Sequence, residues 1–270
     1  MANLSLQASA AMRRCGDRER GPHRDLTGRA ASHRLRAMQE PQLIPLDRLD
    51  LRFVPQSWPF ADERRVEIDA FFAELQRENP ALWNGRVLLM HRHVVTNGVF
   101  EGEYLETDYA SFLAWRRWGG PPAGVRDCFS AAAVVSADGA VLLGEMGPQT
   151  ANAGKIYFPC GTPDPSDIID GKVDLAWSVE RELKEETGID IAELSVEPGW
   201  LAVIDAPLIV QVKTLRSTQP AGELRARMLA HLASEQRPEL SDIHLVRSPQ
   251  DHTHAMPPFV TAWLDAFFAR

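Results

Sequence analysis

Cysteine is scarce. The 270 residues hold three, Cys15, Cys128 and Cys160, an odd number with no C-x-x-C pair, so neither a disulfide framework nor a cysteine-built zinc site is expected. A reducing cytoplasm suits that usage. Long apolar runs are missing too: the longest, 131–135 among them, stop at about six residues, against the roughly 20 a bilayer-crossing helix needs, so no membrane partner is expected. The first 37 residues lack the apolar core of a secretion signal. Positive charge is sparse outside that segment. It carries eight Arg against Asp17, Glu19 and Asp25, a formal +5, and since the whole chain is at −8 the rest carries −13. Counter-ion release from Lys and Arg normally drives nucleic-acid affinity, so a body this acidic excludes long nucleic acid as a partner. A small phosphate compound stays compatible, because a metal ion can bridge acidic protein to acidic substrate.

What is present is a globular composition, 44% apolar and 24% charged, with length for one large or two small domains. Residues 1–40 read as a disordered leader or as an extension ahead of a true start at Met38; their Arg-rich, acid-poor composition also has a presequence flavour. Beyond them, strands are expected within 43–51 and a helix over 60–76, where Val66, Ile68, Phe71, Phe72 and Leu75 recur at helical spacing. Asn97-Gly98 marks a hairpin between extended runs at 86–95 and 99–106, and Asp138-Gly139 a second between 129–136 and 141–145. Asp108 caps a short helix, and Gly119-Gly120-Pro121-Pro122 reads as a linker. A strand over 155–160 leads into a Pro- and Asp-rich loop, 161–173, then a helix over 174–187 closed by Gly188. Strands at 194–204, 208–215 and 243–246 and helices at 223–234 and 259–268 complete a mixed α/β (α+β) chain without repeats.

The helix at 174–187 carries the chemistry. Glu182, Glu185 and Glu186 stand at i, i+3 and i+4 on one face, beside an apolar stripe of Leu175, Ala176, Val179 and Leu183. Like charges so spaced cost about 0.2–0.5 kcal/mol per pair unless a cation answers them. Arg181 can answer Glu185; the charge left over suits a hard oxygen-seeking ion, Mg²⁺ or Mn²⁺. The competing reading is a solvated face with ordinary pairs such as Glu180 with Lys184.

The wording around this helix, Phe158-Pro159-Cys160-Gly161 and then Arg181-Glu182-Leu183-Lys184-Glu185-Glu186-Thr187-Gly188-Ile189, resembles the Nudix box, G-x5-E-x7-R-E-U-x-E-E-x-G-U with U aliphatic. The second half matches at every specified position. The first half departs: Gly161 precedes Arg181 by 20 residues rather than 14, and Val173, followed by Asp174, stands where the pattern has Glu. The resemblance implies a Nudix-type mixed sheet between helices over 124–270, preceded by an accessory α/β segment at 41–120. It implies that Glu182, Glu185 and Glu186 hold Mg²⁺ or Mn²⁺, that one of them also serves as base toward water, that Arg181 orients a glutamate, and that the Gly161 carbonyl completes the shell. A further acid outside the box is expected from Glu239 or Asp242.

The function so implied is metal-dependent hydrolysis of the pyrophosphate bond in a nucleoside diphosphate linked to another group. Segments 79–85 and 108–119 are similar to the upstream part of eukaryotic Nudix enzymes acting on UDP-sugars, which points to a nucleotide sugar. The alternative is a catalytically impaired Nudix-fold protein that binds a nucleotide or a partner chain. The sequence leaves the oligomeric state open. Other clusters read as structural: His91 and His93 lack a third ligand, 251–254 is a solvated loop, Trp115-Arg116-Arg117-Trp118 is packing plus surface charge, and Cys160 is a small buried residue.

Overall fold

The computed structural model describes residues 40–80 and 82–270; the leader expected at 1–40 and Cys15 fall outside the described residues, apart from Glu40. The described chain opens with β1 (Gln42–Leu46) and β2 (Arg48–Phe53), followed by α1 (Pro59–Glu63) and α2 (Arg65–Glu78). The helix expected at 60–76 is thus two helices, broken at Arg64, whose φ of −108° and ψ of 16° leave the helical region. β3 (Arg86–Thr96) and β4 (Val99–Asp108) form the first expected hairpin. Asn97 and Gly98 both take positive φ, 50° and 74°, as a two-residue turn matched to strand twist requires. Asp108 accepts the Ser111 amide and so caps α3 (Tyr109–Arg117).

The second expected hairpin is β5 (Asp127–Val135) and β6 (Val141–Met146). Pro159, with no amide to donate, splits the run after it into β7 (Ile156–Tyr157) and β8 (Cys160–Gly161). The loop expected at 161–173 contains a small hairpin instead, β9 (Ile168–Ile169) and β10 (Lys172–Val173), turned at Asp170-Gly171 with φ of 50° and 77°. Then come α4 (Leu175–Thr187), β11 (Ser195–Val196), β12 (Trp200–Asp205), β13 (Leu208–Arg216), α5 (Ala221–Ser234), β14 (Leu240–Val246) and α6 (Pro258–Phe268). The single strand expected over 194–204 is interrupted at Pro198-Gly199, where Gly199 takes a φ of 70°.

Two mixed sheets result. The larger runs β1-β12-β13-β5-β6-β14, with β7, β8 and β11 paired at its margins; the smaller runs β3-β4-β2-β10-β9. β5 lies parallel to β13 and is buried along its whole length, the position that its continuous small and branched run Ala131-Ala132-Ala133-Val134-Val135 fits. Helices cover both of its faces: Phe129 meets Phe259 of α6 edge to face at 6.2 Å, while Cys128, next along the strand, clusters with Leu175 of α4. The two sheets share pieces of chain. β1 is the edge strand of the larger sheet and β2 belongs to the smaller, and β10, inside the enlarged loop ahead of α4, pairs through Lys172 with Arg52 of β2. A buried cluster of Leu51, Leu88, Met90, Tyr104, Cys128, Val173 and Ile209 fills the space between them.

Candidate metal centre and adjoining cleft

α4 begins and ends as its sequence dictates. The Asp174 carboxylate accepts the amides of Ala176 and Trp177, and Gly188 closes the helix at a φ of 70°. Its buried face differs from the expected stripe by one position: Leu175, Val179 and Leu183 are buried, Ala176 is exposed, and Ser178, Glu182 and Glu186 go in with the apolar residues. Glu182 is 2% exposed and Glu186 3%. The Glu185 side chain, 45% exposed, stands at the rim. The three carboxylates therefore do not all point inward, and among the described residues no three His, Cys, Asp or Glu side chains are gathered closely enough to coordinate an ion as they stand.

Arg181 is the hub of the group. Its Nη1 donates to Glu182 Oε1 at 2.7 Å and lies 3.5 Å from Glu185 Oε2, while Nη2 reaches both oxygens of Asp167 at 3.3 Å. Desolvation works against the Arg181 charge, but Glu182, Asp167 and Glu185 outweigh it and hold the guanidinium above its ordinary value. Lys184 pairs with Asp190 at 2.9 Å. Asp167, fully buried, comes from the enlarged loop and was not foreseen; nothing in the text of that loop distinguishes it from Asp164 or Asp170.

The acids left over are poorly compensated. Glu182 Oε2, both Glu186 oxygens and Glu239 Oε2 are buried without a close hydrogen-bond partner among the described residues, the backbone amide of Cys160 giving Glu186 only a partial answer. Burial, less the pull of Arg181, lifts Glu182 from 4.5 to about 7. Burial and then the neighbouring charges of Glu239 and Glu182 push Glu186 well above the carboxylate range. Burial, reinforced by Glu182 and Glu185, takes Glu239 from 4.5 to about 8. Of the two acids expected to help from outside the box, Glu239 therefore joins the cluster. Asp242 does not: it binds Arg225 at 2.8 Å. Gly161 is where Glu182 packs, for a Cβ built there would collide with the Glu182 carboxylate. An all-oxygen set of buried, unanswered carboxylates fits Mg²⁺ or Mn²⁺, which prefer such donors.

Beside this cluster opens a cleft of about 350 Å³, bordered on one side by Gly161 and Glu239 and on the other by Tyr109, Phe112 and Arg116 of α3. Lys155 and Asn152 also line it, as does Asp127, the first residue of β5. Arg116 sits 5.5 Å over the Phe112 ring. The Trp115–Trp118 cluster thus divides by role. Trp115 is buried, Trp118 packs on Phe60 and Phe71, and Arg116 alone of the four lines the cleft. Helical spacing around Trp115 and Trp118 could have separated them from Arg116. Cys160 lines the cleft as well and is half-buried rather than the buried residue expected; burial and then Glu186 raise its thiol. Val173 is walled into the core between the sheets and Asp174 is spent on the helix cap, so neither replaces the missing first-half Glu. His93 stacks on Phe100, and burial lowers it further from protonation; no shared ligand joins it to His91. In the 251–254 loop, Asp251 closes a capping box on Ser248, and His252 lies 3.8 Å from Asp265.

No family model matches the chain, and no curated protein does. Among solved structures it is similar in fold to Nudix hydrolases. One is RenU from M. smegmatis, 16% identical over 53% of this chain and 83% of that one, with a TM-score of 0.34. Another is an Ap4A hydrolase from C. elegans, 17% identical over 52% and 97%, TM-score 0.34. A pyrophosphohydrolase from Bacillus subtilis is 14% identical over 52% and 77%, TM-score 0.33. The likeness is one of fold and spans about half of this chain.

Proposed function

We propose that this chain hydrolyses the pyrophosphate bond of a nucleoside diphosphate linked to another group, a nucleotide sugar among the compounds to be tried, with Mg²⁺ or Mn²⁺ as its cofactor. One observation carries the reading: buried carboxylate oxygens of Glu182, Glu186 and Glu239 without a close hydrogen-bond partner, Glu239 itself lining a cleft large enough for a small molecule. Burying anions without partners is costly, and a divalent cation is the economical answer. Glu182, Glu185 and Glu186, with Glu239 and the Gly161 backbone, would hold that ion. When bound it supplies charge neutralisation at phosphate oxygens and a lowered pKa for water. Arg181 fixes the Glu182 carboxylate against rotation. Glu185 has the solvent contact that a proton acceptor toward water needs. Arg116 and Lys155 put positive charge on the cleft, where phosphate oxygens can be gripped.

The second reading, a nucleotide- or partner-binding protein with impaired catalysis, is favoured by the loss of the first-half Glu to Val173. One experiment separates the two. Cleavage of a panel of nucleotide sugars, dinucleoside polyphosphates and ADP-ribose, read by chromatography as the nucleotide and the second phosphate ester formed, is measured with Mg²⁺ or Mn²⁺ for the parent and for Glu186→Gln. The hydrolase reading expects turnover that the substitution lowers by about 100-fold or more. Equal, low turnover by both, with nucleotide still bound, supports the binder.

A further inference from the structure

The cleft is also lined by a carboxylate that the reaction above does not use. Asp127 opens β5, is 2% exposed, lines the cleft, and has an Oδ1 that is buried without a hydrogen-bond partner among the described residues. The rings of Tyr109, Phe112, Phe129, Tyr157 and Phe259 line the same space, together with polar Thr150, Asn152, Lys155 and Thr162. Arg116, at the exposed end of α3, is close enough to draw the Asp127 carboxyl down while burial pushes it up more strongly. An unpartnered carboxylate oxygen with aromatic rings on the same lining suits the N–H edge and flat face of a nitrogen heterocycle, while Thr150, Asn152, Lys155 and Thr162 offer polar partners to the rest of a nucleotide.

We propose that this cleft receives the base of a nucleotide and that Asp127 reads its edge, selecting a guanine-type base. An ionised carboxylate only accepts hydrogen bonds, and its two oxygens suit two parallel N–H donors. Guanine offers that pair, a ring N–H beside an exocyclic amine. Hypoxanthine keeps the ring N–H and lacks the amine. The uracil imide is flanked by two carbonyls that would face the carboxylate, and the adenine amine stands beside a ring acceptor. The proposal rests on the hydrolase reading for the diphosphate's place at the Glu239 side of the cleft, and it assigns the selectivity that the acid cluster lacks.

The test is binding by calorimetry at pH 8 without metal, so that no turnover is read. GDP, IDP, ADP and UDP are titrated into the unaltered chain and into Asp127→Asn, whose fold is checked by circular dichroism. GDP is expected to bind at least about tenfold more tightly than IDP, ADP or UDP, since one charge-assisted hydrogen bond separates it from IDP. In Asp127→Asn the preference of GDP over IDP should shrink several-fold. Equal affinity for GDP and IDP in the unaltered chain overturns the proposal even if the variant fails to fold, as does tighter binding of ADP or UDP. A GDP preference that persists unchanged in a folded Asp127→Asn also overturns it. Equal, low turnover by the parent and Glu186→Gln, the result that sinks the hydrolase reading, would leave this binding outcome untouched, so the two readings fail separately.

Discussion

Glu182, Glu186 and Glu239 lie within one low-dielectric patch and share a shortage of partners. Their proton affinities, raised above the ordinary 4.5, mean that the folded state binds more protons than the unfolded one. Stability then falls as pH rises: the fold is unpenalised below the unfolded value near 4.5 and loses stability as pH climbs through about 7 and about 8. Glu182 and Glu239 each account for a loss on the order of a few kcal/mol. The metal-free protein should melt roughly 10–25 °C lower at pH 8 than at pH 5 by circular dichroism. Added Mg²⁺ should restore much of that at pH 8, because an ion bound only by the folded state stabilises it. A melting temperature that rises with pH and ignores Mg²⁺ would show that these acids carry no linked protons. Spacing put Glu182, Glu185 and Glu186 on one helix face and the resemblance made them candidates, though Glu185 stands at the rim; Glu239 was suggested as an acid leading into a strand, but Asp127 and Asp167 gave no such signal. Their importance comes from burial, which depends on what the rest of the chain brings over them.

At the scale of elements, α4 is defined by its two ends. Asp174→Ala removes acceptors for two amides and should cost about 1 kcal/mol. Gly188→Ala should cost more. Its φ of 70° strains any Cβ, and the Cβ would lie 2.7 Å from the His231 ring of α5. Urea unfolding of the two variants beside the parent checks both; if Gly188→Ala is the milder, the contact with α5 is not what limits that position. Caps, turn dipeptides and the buried β5 run were legible because each is a local rule. The hairpin at Ile168–Val173 was not. Its Asp170-Gly171 turn obeys the same rule as Asn97-Gly98, but two residues on each side are too few to show alternation, and only pairing with β2 makes them a strand.

For the whole molecule, the division expected near residue 120 meets a structure in which β1 closes the edge of the larger sheet and Leu88, Met90 and Tyr104 face Cys128, Val173 and Ile209. A fragment beginning at residue 121 would uncover the β12 edge and that apolar surface together. It should be poorly soluble, or bind a hydrophobic dye while losing sharp melting; a soluble fragment with a cooperative transition would mean that the rest of the core suffices. The Asp167 carboxylate reaches Arg181 from the enlarged loop, and that same loop is tied by Lys172 to Arg52. The arginine that steadies Glu182 is therefore anchored, through one short detour of the chain, to a strand more than a hundred residues upstream. Any attempt to graft this domain onto another protein, or to exchange its first segment for a relative's, would have to carry the detour and its anchoring strand as a matched pair.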